Sequence, residues 1–113
     1  MVYFSTPEGQ KAKEYLQKYE NAIMTVKSCK ALIEVGRDLP ITHERLKTAQ
    51  DQMEDIATTL HNADIPHVQK IILEQKYLCN NAINEIAPIV NYSKRQTERL
   101  HIAGLHSFGM VLK

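Results

Sequence analysis

Cysteine and long apolar runs are scarce in this sequence. Its two cysteines, Cys29 and Cys79, have neither the number nor the spacing of a disulfide framework or a zinc site, so we expect two reduced, buried thiols. The longest stretch without a charged residue runs from 101 to 112, well short of the roughly 20 apolar residues that cross a bilayer. The N-terminus lacks a basic start followed by an apolar run, the pattern of a secretory signal. These absences predict a soluble, cytoplasmic protein without a membrane partner.

Neither sign of charge is in excess. The 14 basic and 13 acidic residues nearly cancel, so the whole molecule has no field that would draw it to nucleic acid or to an anionic membrane. The 113 residues, of which 43% are hydrophobic, are enough for one core and too few for two. We therefore expect a single domain over 1–113.

Alternation of apolar and polar residues with period two is missing as well, whereas spacings of three and four recur along the chain. Four helices are predicted, over 7–35, 43–61, 65–91 and 94–112. Ser5 or Thr6 can cap the first of them, with Pro7 at its first position, because a proline there has no amide hydrogen to lose. Thr42 and Ser93 can cap the second and fourth helices in the same way.

The short connections between these helices favour an all-α fold, an antiparallel (up-down) four-helix bundle. The third helix is expected to kink or end near Pro88. The first helix is the longest, and its surplus length could pack on a second copy of the chain. The last helix is apolar nearly all round, and Gly104 and Gly109 within it indicate that another backbone approaches closely.

Catalytic and metal-binding patterns are hard to find. The five histidines include no pair four residues apart on one helix face, and the sequence contains no His-Glu-x-x-His motif. Both cysteines fall at apolar seam positions, where burial keeps a thiol unreactive. We therefore expect no catalytic residue, no metal, no cofactor and no enzymatic activity.

The outer face of the third helix is polar but almost without charge. Tyr77, Asn84 and Asn91 recur every seven residues on the side opposite the apolar positions, and Asn81 lies beside them. Such a surface is typical of a contact with another protein or a neutral ligand. With the apolar end of the chain, it predicts an interface formed by Tyr77, Asn81, Asn84, Asn91, Leu105, Phe108, Met110 and Leu112.

Two alternative functions stay open. Lys94, Arg95 and Arg99 lie in the first two turns of the last helix, where cations oppose the helix dipole, so they could bind an anionic ligand. The protein would then be an oligomer that binds or sequesters a small ligand or nucleotide, using Arg95, Arg99 and the asparagine-rich face. The segment 54–74 has the outline of a helix-turn-helix, but acidic residues in its first helix would repel phosphates, so nucleic acid is an unexpected partner.

The favoured function is that of a small, non-catalytic binding protein of the adaptor, inhibitor or immunity type. It is expected to contact another protein and to form a homo-oligomer, a dimer or larger. This expectation rests on the neutral, cysteine-poor, helical character of the chain.

Overall fold

The computed structural model describes residues 6–37 and 39–112, and every regular element in these ranges is helical. A π-helical turn over Glu74–Leu78, here called the π-turn, follows the third of five α-helices. The α-helices are α1 (Pro7–Glu34), α2 (Pro40–His61), α3 (His67–Leu73), α4 (Ile83–Val90) and α5 (Lys94–Val111). The prediction of an all-α protein is therefore confirmed for the described residues, which contain no strand.

Local hydrogen bonds fix the helix starts. The Thr6 hydroxyl accepts a hydrogen bond from the amide of Gly9 at 3.0 Å, and the Ser93 hydroxyl accepts one from the amide of Gln96 at 3.1 Å, so both predicted caps are confirmed. The second helix starts earlier than predicted, at Pro40, and Thr42 is buried inside it instead of capping it. The reason is that proline suits the first helical position, where no amide hydrogen is needed.

The predicted third helix over 65–91 is wrong as a single element. Its α-helical part ends at Leu73, the π-turn follows, and residues 79–82 are not helical before α4 begins. Asn80 has a φ of 57°, in the left-handed region that breaks a helix and that asparagine tolerates better than most residues. The Glu85 carboxylate then accepts a hydrogen bond from the amide of Ala82 at 2.9 Å, which starts α4. Pro88 lies inside α4, which ends two residues later.

The helices do not surround one common core along their whole length, and the predicted four-helix bundle is not confirmed. α1 lies between α2 and α5, α5 also contacts α3 and α4, and α2 packs chiefly on α1. The main core joins the first half of α1 to the end of α2 and to α3 and α5, through Ala12, Leu16, Ile56, Leu60, Ala63, Leu73, Leu105 and Phe108.

Close backbone contact joins the two ends of the described chain. The Thr6 hydroxyl lies 2.8 Å from His106 Nδ1, and Lys11 Nζ donates a hydrogen bond to the Leu112 carbonyl at 3.0 Å. A side chain at Gly109 would overlap the backbone of Glu8, so the predicted close approach at this glycine is confirmed. The approaching backbone belongs to α1 of the same chain.

α1 and α2 form a hairpin that extends beyond the main core. The buried residues along its closed half are small (Ala22, Cys29, Thr42 and Ala49), and none of them belongs to the main core cluster. The hairpin contributes to an elongated shape, with extents of 51 × 30 × 24 Å. We call its closed end, residues 35–37 and 39–41, the hairpin tip.

Candidate interaction surfaces

Three of the residues predicted for an interface face the interior of the chain. Phe108 has no exposed surface and Leu105 is 5% exposed, and both belong to the main core. Tyr77 is half-buried in the π-turn, with its hydroxyl 2.8 Å from Nε2 of His101. The last helix is covered on more than one side, as its composition indicated, but α1, α3 and α4 of the same chain provide the cover.

The other five predicted residues lie nearer the surface. Asn81 donates a side-chain hydrogen bond to Gln75 at 2.8 Å, and Asn91 ends α4 with a φ of 60°, so both have local structural roles. Asn84 and Met110 are exposed, and Leu112 is half-buried. The structure therefore does not bring the eight residues together as one outer surface.

The three basic residues of the predicted anion site are exposed. Lys94 and Arg95 lie in the first turn of α5, and Arg99 lies in the second. The helix-turn-helix candidate over 54–74 spans the end of α2 and α3, but α3 has seven residues and continues into the π-turn. A shallow surface on α2, at the start of this segment, is lined by Asp51, Glu54 and Asp55. Their negative charges would repel phosphate groups.

The hairpin tip exposes large apolar side chains, which the sequence reading missed. Val35, Leu39 and Ile41 are 74%, 57% and 62% exposed, and Arg37 lies between them. A local signal was present in the sequence, because these three residues flank Gly36 and Pro40 in a turn, where polar residues are usual. Exposed apolar residues that occur together mark interaction sites more often than scattered ones do.

A second surface, here called the acidic groove, lies at the opposite end of the hairpin. It has a volume of about 510 Å³ and is lined on its apolar side by Phe108, Val111 and Leu112. Asp55 and Asp64 line its polar side, and none of the described residues that line it is basic.

Tyr15 shapes one wall of the acidic groove. Its ring centroid lies 6.0 Å from that of Phe108, and its hydroxyl donates a hydrogen bond to the Asp55 carboxylate at 3.3 Å. Burial, followed by the nearby negative charge of Asp55, raises the pKa of Tyr15. The wall therefore combines an aromatic ring with a fixed carboxylate.

A smaller cleft of about 240 Å³ lies between the middle of α1 and the π-turn. Beside it, burial and then the positive charges of Lys76 and Lys13 lower the pKa of His101 to about 4, and burial raises the pKa of Tyr77 to about 12. Both side chains are neutral near pH 7, and their hydrogen bond joins the π-turn to α5. Cys79 lines the cleft and is exposed, so its predicted burial is wrong, whereas Cys29 is buried as predicted. The cause is the break after the π-turn, which places Cys79 outside any helix.

Other comparisons give no further site. Within residues 6–37 and 39–112, no three His, Cys, Asp or Glu side chains are grouped so as to hold a metal ion. No helix in this part of the chain is long and apolar enough to span a bilayer. Comparison with protein-family models, curated proteins and solved structures finds no match.

Proposed function

We propose that this chain is a non-catalytic binding protein that acts through protein–protein contacts, including association with copies of itself. The observation that carries the proposal is the hairpin tip, where Val35, Leu39 and Ile41 are each more than half exposed. Fully burying one such side chain stabilises a complex by about 1.5–3 kcal/mol. Within this proposal, the chain would act as an adaptor, an inhibitor or an immunity-type protein.

Several features support binding over catalysis or ligand capture. His101 and Tyr77, the groups with the largest pKa shifts, are hydrogen-bonded to each other, and burial is the main cause of both shifts. Lys94 and Arg95 are exposed at the start of α5, outside both the acidic groove and the cleft beside the π-turn, so ligand binding there has less support. A cytoplasmic location belongs to the same proposal, because both cysteines are free thiols.

Sedimentation equilibrium of the full chain tests the proposal. We expect the wild-type protein to exceed its monomer mass of 12.9 kDa in a concentration-dependent way. Leu39→Glu should weaken association at least tenfold, since about 1.4 kcal/mol corresponds to a factor of ten. Ile89→Glu is the matched control, because Ile89 is 55% exposed on α4 and distant in sequence from the tip, and it should associate like the wild type.

A wild-type protein that stays monomeric up to about 100 μM would overturn self-association, because a Kd of that order corresponds to only about 5.5 kcal/mol. Equal weakening by Leu39→Glu and Ile89→Glu would reject the tip as the contact surface. Circular dichroism of each variant establishes that it is folded before its mass is compared.

A further inference from the structure

We infer that the cleft between α1 and the π-turn binds a small organic anion, namely a carboxylate attached to a short apolar chain or to a single ring. The site, here called the π-cleft, is lined by Leu16, Gln17, Glu20, Ile23, Met24 and Lys27 of α1 and by residues 76–80. Its size, its apolar walls and its two lysines carry the inference. Ligand binding here goes beyond the proposed protein–protein contacts and does not depend on them.

The size of the π-cleft limits the ligand to a small molecule. An apolar cavity of about 150 Å³ holds one benzene molecule, whereas pockets for drug-sized ligands start at about 300 Å³. The π-cleft, with a volume of about 240 Å³, lies between these sizes. It therefore has room for one ring, or for a chain of about six carbons, together with a carboxylate, and it is too small for a helix of another protein.

Both walls of the π-cleft offer apolar side chains. Ile23 and Met24 belong to α1, whereas Tyr77 and Leu78 belong to the π-turn. Met24 is 62% exposed and the other three are half-buried, so all four retain surface that a ligand can cover. A π-helical turn is rare and is found frequently at functional sites. The apolar body of the ligand is stabilised by removing these surfaces from water.

Each wall also carries a lysine. Lys27 lies on α1 and Lys76 on the π-turn, and neither forms an ion pair or a side-chain hydrogen bond within residues 6–37 and 39–112. Glu20 is the one carboxylate among the residues that line the cleft, so the lining has an excess of one positive charge. A ligand carboxylate accepts charge-assisted hydrogen bonds from lysine, which are stronger than neutral ones.

The positive charge of this region also acts on the interior beside the π-cleft. His101 is hydrogen-bonded to Tyr77, and after burial the two causes that lower its pKa are the charges of Lys76 and Lys13. Both charges are positive, which favours an anion over a cation as the ligand. An anion in the π-cleft offsets this excess, whereas a cation adds to it.

Protection of Cys79 from alkylation tests the inference. Cys79 is exposed and lines the π-cleft, whereas Cys29 is buried, so iodoacetamide should modify Cys79 first, and mass spectrometry follows the rate. Hexanoate should slow this modification with half-saturation at about 1 mM, an affinity within the range for a ligand of its size. Hexanol, which has the same chain without the charge, should protect at least threefold less well. Free cysteine is the control for direct effects of hexanoate on the reagent.

Four variants test the charges of the π-cleft. Lys27→Gln and Lys76→Gln should each raise the half-saturating hexanoate concentration about threefold, because each removes one positive charge. Glu20→Gln should lower it, because it removes the opposing negative charge. Lys30→Gln is the matched control, since Lys30 is exposed on α1 but does not line the cleft, and it should match the wild type. Concentrations are compared rather than rates, since a nearby charge also changes the reactivity of the thiol.

Three outcomes would overturn the inference. No protection by hexanoate up to about 20 mM would mean that the π-cleft does not bind such ligands. Equal protection by hexanol and hexanoate would reject an anion as the ligand. Half-saturation that is unchanged in both Lys27→Gln and Lys76→Gln would place the bound hexanoate elsewhere. Sedimentation equilibrium measures self-association separately, so each of these results leaves the proposed function standing.

Discussion

His101 should make the protein lose stability on mild acidification. Its ring is half-buried beside Tyr77, and burial, followed by the charges of Lys76 and Lys13, lowers its pKa from 6.5 to about 4. In the unfolded chain this cost of burial is absent, so the ring takes up its proton near pH 6.5. The native state therefore binds fewer protons than the unfolded state between these two pH values.

The sign and size of the effect follow from this difference. The native state has its full stability with respect to His101 above pH 6.5, where the ring is neutral in both states. This contribution is lost as the pH falls towards 4, and it changes no further below that. At about 1.4 kcal/mol for each pH unit between the two pKa values, the complete loss is about 3 kcal/mol. Between about pH 7 and about pH 4.5, the free energy of unfolding should fall by about 2.5 kcal/mol from this group alone.

Urea unfolding followed by circular dichroism measures this free energy at the two pH values. His101→Gln removes the titrating ring and keeps a side chain that can bond to the Tyr77 hydroxyl, so its stability should depend less on pH by about 2.5 kcal/mol. The carboxylates titrate alike in both proteins, so their contribution cancels. His61→Gln is the control, because His61 is exposed at the end of α2, and it should keep the wild-type pH dependence. Equal losses in the wild type and His101→Gln would refute the reasoning.

Two further predictions concern the contacts of α5, and urea unfolding near pH 7 measures both. Gly109→Ala should destabilise the fold by more than about 2 kcal/mol, because the new methyl group would overlap the Glu8 backbone. Gly104→Ala should destabilise the fold by less than Gly109→Ala does, since its Cβ would lie 3.2 Å from the Cβ of Gln69 in α3. An equal loss of stability would contradict the close approach of the Glu8 backbone to Gly109. Phe108→Ala should cost about 3–5 kcal/mol, whereas Met110→Ala should stay within about 0.5 kcal/mol; similar losses would contradict the core assignment.

Helix ends were predictable from the sequence where their hydrogen bonds are local. Thr6 and Ser93 each cap a helix by bonding to an amide three residues ahead, so a few neighbouring residues contain all the information needed. Thr42 fits the same pattern but is two residues after Pro40, and the proline position decided where α2 begins. Competing local signals are thus one limit of such predictions.

The sequence predicted that α5 is buried, but it did not predict which chain covers the helix. The apolar composition of α5 correctly placed it between several neighbours, and Gly109 correctly indicated a close backbone. Neither signal says whether that backbone belongs to the same chain, because packing chemistry is the same within and between molecules. Leu105 and Phe108 were therefore assigned to an interface, whereas the structure uses them in the main core.

The break in the third helix, which the sequence did not predict, also explains why the hairpin tip is exposed. Ile72 and Ile86 are both fully buried, so their 14-residue spacing correctly predicted burial although no single helix joins them. The chain turns away at Asn80, and α3 with the π-turn covers 12 residues against 28 in α1. A continuous third helix could have run along the closed half of the hairpin. In its absence that half is two helices thick, its buried residues are small, and the apolar side chains at the tip have no cover among the described residues.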